Sequence, residues 1–115
     1  MKVEVVIMKQ APCQHRSPTS TLWMAERFGY DPMETGIEIE KHLAHQKVAN
    51  EILDSFAGEG VTVIDPLDVL SHPNGHTKVH DGKKIFYSDD NHLSNDGSLA
   101  LRPLFAPFFK PQASD

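Results

Sequence analysis

Two kinds of hydrophobic pattern alternate along the chain. Runs rich in β-branched residues at 3–8 (VEVVIM) and 61–65 (VTVID) predict two short strands, the first of them buried. Over residues 34–57, apolar positions recur at three- and four-residue spacing with charged residues between them, which predicts one long amphipathic helix. The order of strand, helix and strand favours a right-handed βαβ unit with parallel strands.

Shorter patterns lie between the first strand and the long helix, and after the second strand. Residues 10–21 are rich in Pro, Ser and Thr and lack periodicity, so they predict a surface loop, and residues 22–28 predict one or two helical turns. Farther along, residues 79–87 (VHDGKKIFY) predict a hairpin in which Asp81-Gly82 forms the two-residue turn.

A last helix is predicted after Ser94, because serine is a residue type that caps helix N-termini. Its apolar positions are Leu99, Leu101, Leu104, Phe105, Phe108 and Phe109. Pro103 and Pro107 are expected to kink or shorten this helix. Residues 111–115 are expected to form a disordered tail.

Composition and charge exclude several classes of function. The 115 residues fit one domain, and a formal charge of −5 with scattered Lys and Arg argues against a nucleic-acid surface. No apolar run approaches the roughly 20 residues of a membrane-spanning helix. Lys2 and Glu4 interrupt the apolar N-terminal stretch, which is unlike a signal peptide, so the chain made alone is expected in the cytoplasm. Cys13 is the single cysteine, which excludes an intrachain disulfide.

Asp89 and His92 are the first candidates for chemistry, in the stretch IFYSDDNHLSNDG between a predicted strand and a predicted helix. An imidazole acts as a base at Nε2 when a carboxylate holds the proton on Nδ1, and an Asp three residues earlier in a tight turn can do so. Turns at the carboxyl ends of strands are also where open α/β sheets build their sites. Asp, Asn and Ser are common turn residues, so the spacing alone leaves an ordinary surface turn open.

The other histidines and the serines are the remaining candidates. His42 and His45 share a face of the predicted helix and could hold a metal, but their charged neighbours favour a solvated face. His72, His76 and His80 have helical spacing that Pro-Asn-Gly interrupts. No serine lies in a Gly-x-Ser-x-Gly or Gly-Asp-Ser pattern, and there is no glycine-rich phosphate loop. We therefore predict neither a metal nor a cofactor.

The stretch VTVIDPLDVL and the later stretch DGKKIFYSDDNHLSNDGSLAL together resemble the C-terminal end of an SGNH domain, of the type fused to acyltransferase-3 membrane domains in bacterial O-acetyltransferases. The shared pattern is carried by Tyr87, Asp89, His92, Leu93, Ser94 and Gly97. The residues before VTVIDPLDVL are similar to the family more loosely. The resemblance covers most of this chain and about the last half of a full SGNH domain.

This resemblance implies that His92 is the general base and Asp89 its orienting acid in a Ser-His-Asp triad, with Asp90 and Asn91 as spacers. The implied reaction is acyl transfer to a sugar hydroxyl or to water. The family's serine, and the Gly and Asn that stabilise its oxyanion, come from earlier motifs that these 115 residues lack. The chain alone is therefore expected to be inactive.

The predicted fold is α/β, a three-layer arrangement with a small parallel sheet, flanking helices and a short hairpin near the C-terminal site. Residues 1–110 are predicted to be the C-terminal half of an SGNH-like domain, which is a partial SGNH- or flavodoxin-like fold. The resemblance implies a parent activity of O-acyl transfer to a cell-envelope polysaccharide, or the related ester hydrolysis, at the extracytoplasmic side of the membrane.

The expected partners follow from the same reading. They are an N-terminal SGNH half or a membrane acyltransferase domain, with a saccharide as acceptor. An uncovered sheet edge and apolar surface would also favour a homodimer. Two other classes stay open, namely a non-catalytic interaction module with this fold and a small histidine-based metal-binding protein.

Overall fold

The computed structural model describes residues 3–109, so the tail predicted at 111–115 lies outside the described residues. Within these residues, four strands and five α-helices follow one another. They are β1 (Val5–Met8), α1 (Pro18–Phe28), α2 (Ile39–His45), α3 (Lys47–Ser55), β2 (Val61–Ile64), β3 (His80–Asp81), β4 (Lys84–Ile85), α4 (Asn95–Ala100) and α5 (Arg102–Phe105). Short 3-10 turns lie at Pro32–Glu34, Pro66–Asp68 and Ala106–Phe108. The α/β class is confirmed.

The parallel pairing of the two β-branched runs is confirmed. Strands β1 and β2 pair in parallel, from Val5 opposite Val61 to Met8 opposite Ile64. The prediction that the first strand is buried is wrong, because Val5 and Met8 are exposed. Within residues 3–109 the sheet has only these two strands. Two strands are at best marginally stable unless other elements pack against them.

The prediction of one long helix over 34–57 is wrong. Gln46 leaves helical geometry at φ −99° and ψ 6°, so α2 and α3 are separate helices. The segment before α2 is tied to another part of the chain, since Ile39 N–H donates to the Gly75 carbonyl at 2.8 Å. Gly36 also packs so closely on Thr77 that a Cβ there would lie 2.1 Å from its carbonyl oxygen. These tertiary contacts delay the helix start to Ile39.

Helix α1 begins four residues earlier than predicted, inside the segment expected to be a loop. Pro18 occupies its first turn, where a missing N–H breaks no hydrogen bond of the helix and the fixed φ suits helical geometry. The helix ends at Gly29, whose φ of 77° lies in the left-handed region and whose N–H donates to the Ala25 carbonyl.

The predicted hairpin is present, but its turn lies one residue farther along. Asp81 pairs with Lys84, so the turn residues are Gly82 and Lys83 rather than Asp81 and Gly82. Gly82 has a φ of 58°, and among the described residues only glycines have a positive φ. A glycine with positive φ at the first turn position is typical of a type II′ hairpin turn.

The helical segment after Ser94 begins and is interrupted at the residues that the sequence predicted. The Ser94 hydroxyl accepts a 3.1 Å hydrogen bond from Gly97 N–H at the start of α4, which confirms the predicted cap. Leu101 separates α4 from α5, and Pro103 and Pro107 each lie in the first turn of the short helix that follows. The prolines therefore shorten the predicted helix, as expected.

The hydrophobic core lies under the C-terminal segment rather than under the β1–β2 sheet. Its buried members are Leu70, Val79, Phe86, Tyr87 and Leu101. Leu22 of α1 and Leu93 pack against this cluster. By contrast, α3 contributes no buried residue. The hydrophobic core therefore lies next to the segment that carries Asp89 and His92, because Tyr87 and Leu93 flank that segment.

Candidate active site

A short turn between β4 and α4 carries Asp89 and His92. Tyr87 and Leu93 form an antiparallel bridge at its base, and Ser88 N–H donates to the His92 carbonyl at 2.8 Å to close it. Ser94 then donates its backbone N–H to the Phe86 carbonyl at 2.9 Å. The turn is therefore fixed at both ends by backbone hydrogen bonds.

The Asp89 carboxylate organises the turn. Its Oδ1 accepts hydrogen bonds from the backbone N–H of Asn91 at 2.9 Å and of His92 at 2.7 Å. Its Oδ2 lies 2.8 Å from His92 Nδ1. Hydrogen bonds to the carboxylate hold the pKa of Asp89 below its usual value. The largest effect comes from the Asn91 N–H, followed by the side chain and the N–H of His92. Asp89 therefore stays ionised and can only accept hydrogen bonds.

The contact with Asp89 determines which nitrogen of the neutral His92 ring carries the proton. Because an ionised carboxylate cannot donate, the proton in the 2.8 Å contact belongs to Nδ1 of the imidazole. In the neutral ring this leaves the lone pair on Nε2, which has no hydrogen-bond partner within residues 3–109. The His92 side chain is 74% exposed and that of Asp89 is 51% exposed. The pair has the geometry of a base and its orienting carboxylate, open to solvent.

Asp90 and Asn91, predicted to be spacers, take part through their backbones. Asn91 N–H helps to hold the Asp89 carboxylate. The Asp90 carbonyl accepts a 2.7 Å hydrogen bond from the backbone N–H of Gln14, which lies far away in sequence. The side chains of Asp90 and Asn91 are exposed.

Gln14 and Tyr87 support the turn from below. The Tyr87 hydroxyl donates to the Pro12 carbonyl at 2.6 Å and accepts from Gln14 Nε2 at 3.3 Å. Burial raises the pKa of Tyr87 to about 12, so the phenol remains a donor across the neutral range. Sequence reasoning missed Gln14, because a glutamine in a segment rich in Pro, Ser and Thr carries no pattern that distinguishes it from a surface residue.

Glycine at position 97 brings α4 close to the strand before the turn. A Cβ there would lie 2.0 Å from the Phe86 carbonyl oxygen, so only glycine fits without a shift. The Ser94 hydroxyl donates to the Ile85 carbonyl while it caps α4. These contacts set the direction in which the chain leaves the turn.

The structure separates the other histidines. His42 is buried on α2 and His45 is exposed, so the expectation of a shared solvated face is wrong for His42. Burial lowers the pKa of His42 and also that of His72. His76 Nδ1 lies 2.8 Å from the Gly36 carbonyl oxygen and His80 Nε2 lies 3.3 Å from that of Pro32. Within residues 3–109, no group of three or more His, Cys, Asp or Glu side chains could hold a metal ion.

No serine hydroxyl in the described part of the chain makes a hydrogen bond to the imidazole of His92. Ser88, the serine nearest in sequence, directs its hydroxyl to the His92 carbonyl at 3.3 Å and not to the imidazole. Cavities of about 530 and 570 Å³ flank α1, and neither is lined by Asp89 or His92. In the part of the chain that is described, no helix is long and apolar enough to cross a membrane.

A family model described as "SGNH domain (fused to AT3 domains)" matches residues 1–107. The chain therefore belongs to this family, as the Tyr87-to-Gly97 pattern predicted. Comparison with curated proteins and with solved structures gave no match.

We predict that the Asp89 turn persists to a pH below the usual titration range of aspartate. Because folding lowers the pKa of Asp89, its carboxylate stabilises the turn above the ordinary pKa, and this contribution is lost as the pH falls through the lowered value. The acid transition of the Asn91 amide, followed by NMR, should lie below that of a short unfolded peptide of the same sequence. Asp89→Asn is the control and should show no such transition. Coincidence of the native and peptide transitions would contradict the prediction.

Proposed function

We propose that this SGNH-family chain supplies the base, His92, and the orienting carboxylate, Asp89, of a Ser-His-Asp triad for acyl transfer. The serine and the oxyanion donors come from a polypeptide segment outside these 115 residues. The observation that carries the proposal is the 2.8 Å contact between His92 Nδ1 and Asp89 Oδ2, made by a carboxylate that two backbone N–H groups already hold in place. Family membership supports an activity related to acyltransferases and esterases.

The chemistry begins with proton transfer from the serine hydroxyl to His92 Nε2. The serine oxygen then attacks the carbonyl carbon of the acyl donor, and the leaving group takes the proton from the imidazolium as the acyl-serine ester forms. A sugar hydroxyl, or water, next gives its proton to Nε2 and attacks the carbonyl carbon of that ester. The bond from this carbon to the serine oxygen then breaks, and the serine takes the proton back from the imidazolium as the acylated sugar, or the free acid, is released. Asp89 stays ionised throughout and stabilises the imidazolium of each step.

The exposure of the pair supports a requirement for a second segment. Preorganised charges stabilise a transition state best where water is excluded, whereas the His92 side chain is 74% exposed. Covering the imidazole and bringing a serine to Nε2 are two tasks that one docking segment performs together. We expect the isolated chain to be inactive, since loss of a triad member leaves only the residual catalysis of the remaining site.

A membrane acyltransferase domain fits as the donor of the acyl group. The family description names fusion to AT3 domains, and the described residues include no helix that could cross a membrane. In this proposal the membrane domain delivers the acyl group, His92 and Asp89 activate the serine and then the acceptor, and the acceptor is a hydroxyl of a cell-envelope polysaccharide. Hydrolysis of the acyl-serine ester is the related esterase reaction.

A strip of apolar residues on α3 is our candidate docking surface for the serine-bearing segment. We call Val48, Ile52 and Phe56 the α3 strip. Val48 and Ile52 lie on α3, and Phe56 is the residue that caps its C-terminus. Their four-residue spacing places them along one side of the helix, and each is more than half exposed. A contiguous exposed apolar patch is one feature of protein interaction sites. The β1–β2 sheet has just two strands among the described residues. The same partner can therefore add a strand to an edge of this sheet.

We predict turnover of a generic acetyl ester only when the chain is mixed with a Gly-Asp-Ser-bearing SGNH segment. The isolated chain should not exceed the background rate. In the mixture, His92→Ala should abolish turnover and Asp89→Ala should lower kcat by roughly 10⁴-fold, as expected for loss of the orienting carboxylate.

The matched control for this experiment is His45→Ala, which removes an exposed histidine from α2 and should leave turnover unchanged. Appreciable turnover by the isolated chain would contradict the absence of a nucleophile. Binding of the two segments without turnover would instead favour a non-catalytic interaction module.

For the α3 strip, we predict that Ile52→Glu weakens binding of the serine-bearing segment at least tenfold. Such a loss corresponds to about 1.4 kcal/mol, and it is expected because a charge placed in an apolar contact must be desolvated. Isothermal titration calorimetry measures the Kd. Glu51→Gln on the same helix is the control, since it lies outside the strip. Equal affinity of the Ile52 variant and the parent chain would rule out the strip as the docking surface.

A further inference from the structure

The turn that holds Asp89 and His92 projects into solvent, yet it is held at two points by one distant segment. At its base, the Tyr87 hydroxyl donates to the Pro12 carbonyl at 2.6 Å. At its apex, the Asp90 carbonyl accepts from the backbone N–H of Gln14 at 2.7 Å. Residues 12–14 therefore span the turn from base to apex.

Gln14 is the residue that keeps this segment in place. Its side chain is buried, with the residue only 5% exposed. Its Nε2 donates to Thr77 Oγ1 at 3.0 Å and to the Tyr87 hydroxyl at 3.3 Å. Its Oε1 accepts from Ile37 N–H at 2.7 Å. Both the oxygen and the nitrogen of the amide are thus hydrogen-bonded, and removing the amide would leave its buried partners unsatisfied, which destabilises the fold.

We infer that Gln14 is a positioning residue for the Asp89–His92 pair and acts through the carbonyl of Asp90. The buried amide fixes the backbone at position 14, and the Gln14 N–H then holds the Asp90 carbonyl. Asp90 lies between the two members of the pair, so the Gln14 contact limits how the turn moves. The catalytic consequence rests on the proposed function, whereas the structural consequence does not.

The chemistry of the amide explains why glutamine fits this position. One end of the side chain must accept from a backbone N–H and the other must donate to two hydroxyl oxygens. A glutamate accepts but cannot donate when ionised, and a methionine of similar length has no donor and only a weakly accepting sulfur. The Tyr87 hydroxyl has its own proton committed to Pro12, so it depends on Gln14 for a donor.

The direct test is the titration of the Asp89 carboxyl carbon, followed by ¹³C NMR in the 115-residue chain at a temperature where every variant is folded. In Gln14→Met we expect the pKa of Asp89 to rise toward its usual value, because a loosened turn loses the N–H donors of Asn91 and His92 that lower it. Tyr87→Phe keeps the ring but removes the hydroxyl, and we expect a smaller change in the same direction.

Ser71→Ala is the control for a purely structural effect. It removes a half-buried side-chain hydrogen bond of 2.6 Å to the Leu67 carbonyl. The Ser71 hydroxyl bonds neither Gln14 nor the turn, and the bridge between Ser71 and Thr77 is made by the backbone, which the substitution keeps. We expect it to lower the Tm without changing the Asp89 titration. If Gln14→Met does not fold, Tyr87→Phe decides by the same titration. An unchanged Asp89 titration in the folded Gln14 and Tyr87 variants would overturn the inference.

A second measurement separates this inference from the proposed function. In the mixture with the serine-bearing segment, Gln14→Met should lower kcat by about 10- to 100-fold with little change in KM, because a small misplacement of the base weakens the reaction more than binding. If the parent chain shows no activity in the mixture, the proposed function fails, and the Asp89 titration still decides the role of Gln14. A parental kcat in the Gln14 variant would contradict that role.

Discussion

The Tyr87 hydroxyl donates a 2.6 Å hydrogen bond to the Pro12 carbonyl from within the hydrophobic core, and the geometry of the site depends on this contact. A buried phenol without a partner would be costly, so the core accepts Tyr87 only with Pro12 and Gln14 alongside it. The bond joins the segment after β1 to the base of the Asp89 turn. The packed core thereby fixes the position of the turn that carries the exposed side chains of Asp89 and His92.

The rest of the chain is organised less tightly around this centre. The β1–β2 sheet has two strands within the described residues, and the α3 strip faces solvent. The buried core therefore lies beside the candidate site, whereas the exposed apolar surface lies on α3. This division is the physical basis for proposing a partner that both covers the α3 strip and supplies a serine.

The sequence predicted correctly those features that depend on interactions between residues close together in the chain. The β-branched runs, the Ser94 cap and the two helix-shortening prolines were all predicted correctly, because each depends on nearby residues. The late start of α2 depends on contacts with Gly75 and Thr77, which no periodicity contains, and the break at Gln46 has no signal in the helical pattern. Gln14 was missed for the same reason. The Asp89–His92 pair was predicted from a family pattern and a spacing, while its exposure required the structure.

The central claim is that Asp89 presents His92 as a base with a free Nε2, and the ¹⁵N chemical shifts of the His92 ring test it most directly. At a pH where the ring is neutral, the account predicts that Nδ1 carries the proton and that Nε2 has the shift of a bare nitrogen, with this preference reduced in Asp89→Ala. A neutral ring protonated on Nε2, or one whose shifts do not respond to Asp89→Ala, would contradict the account.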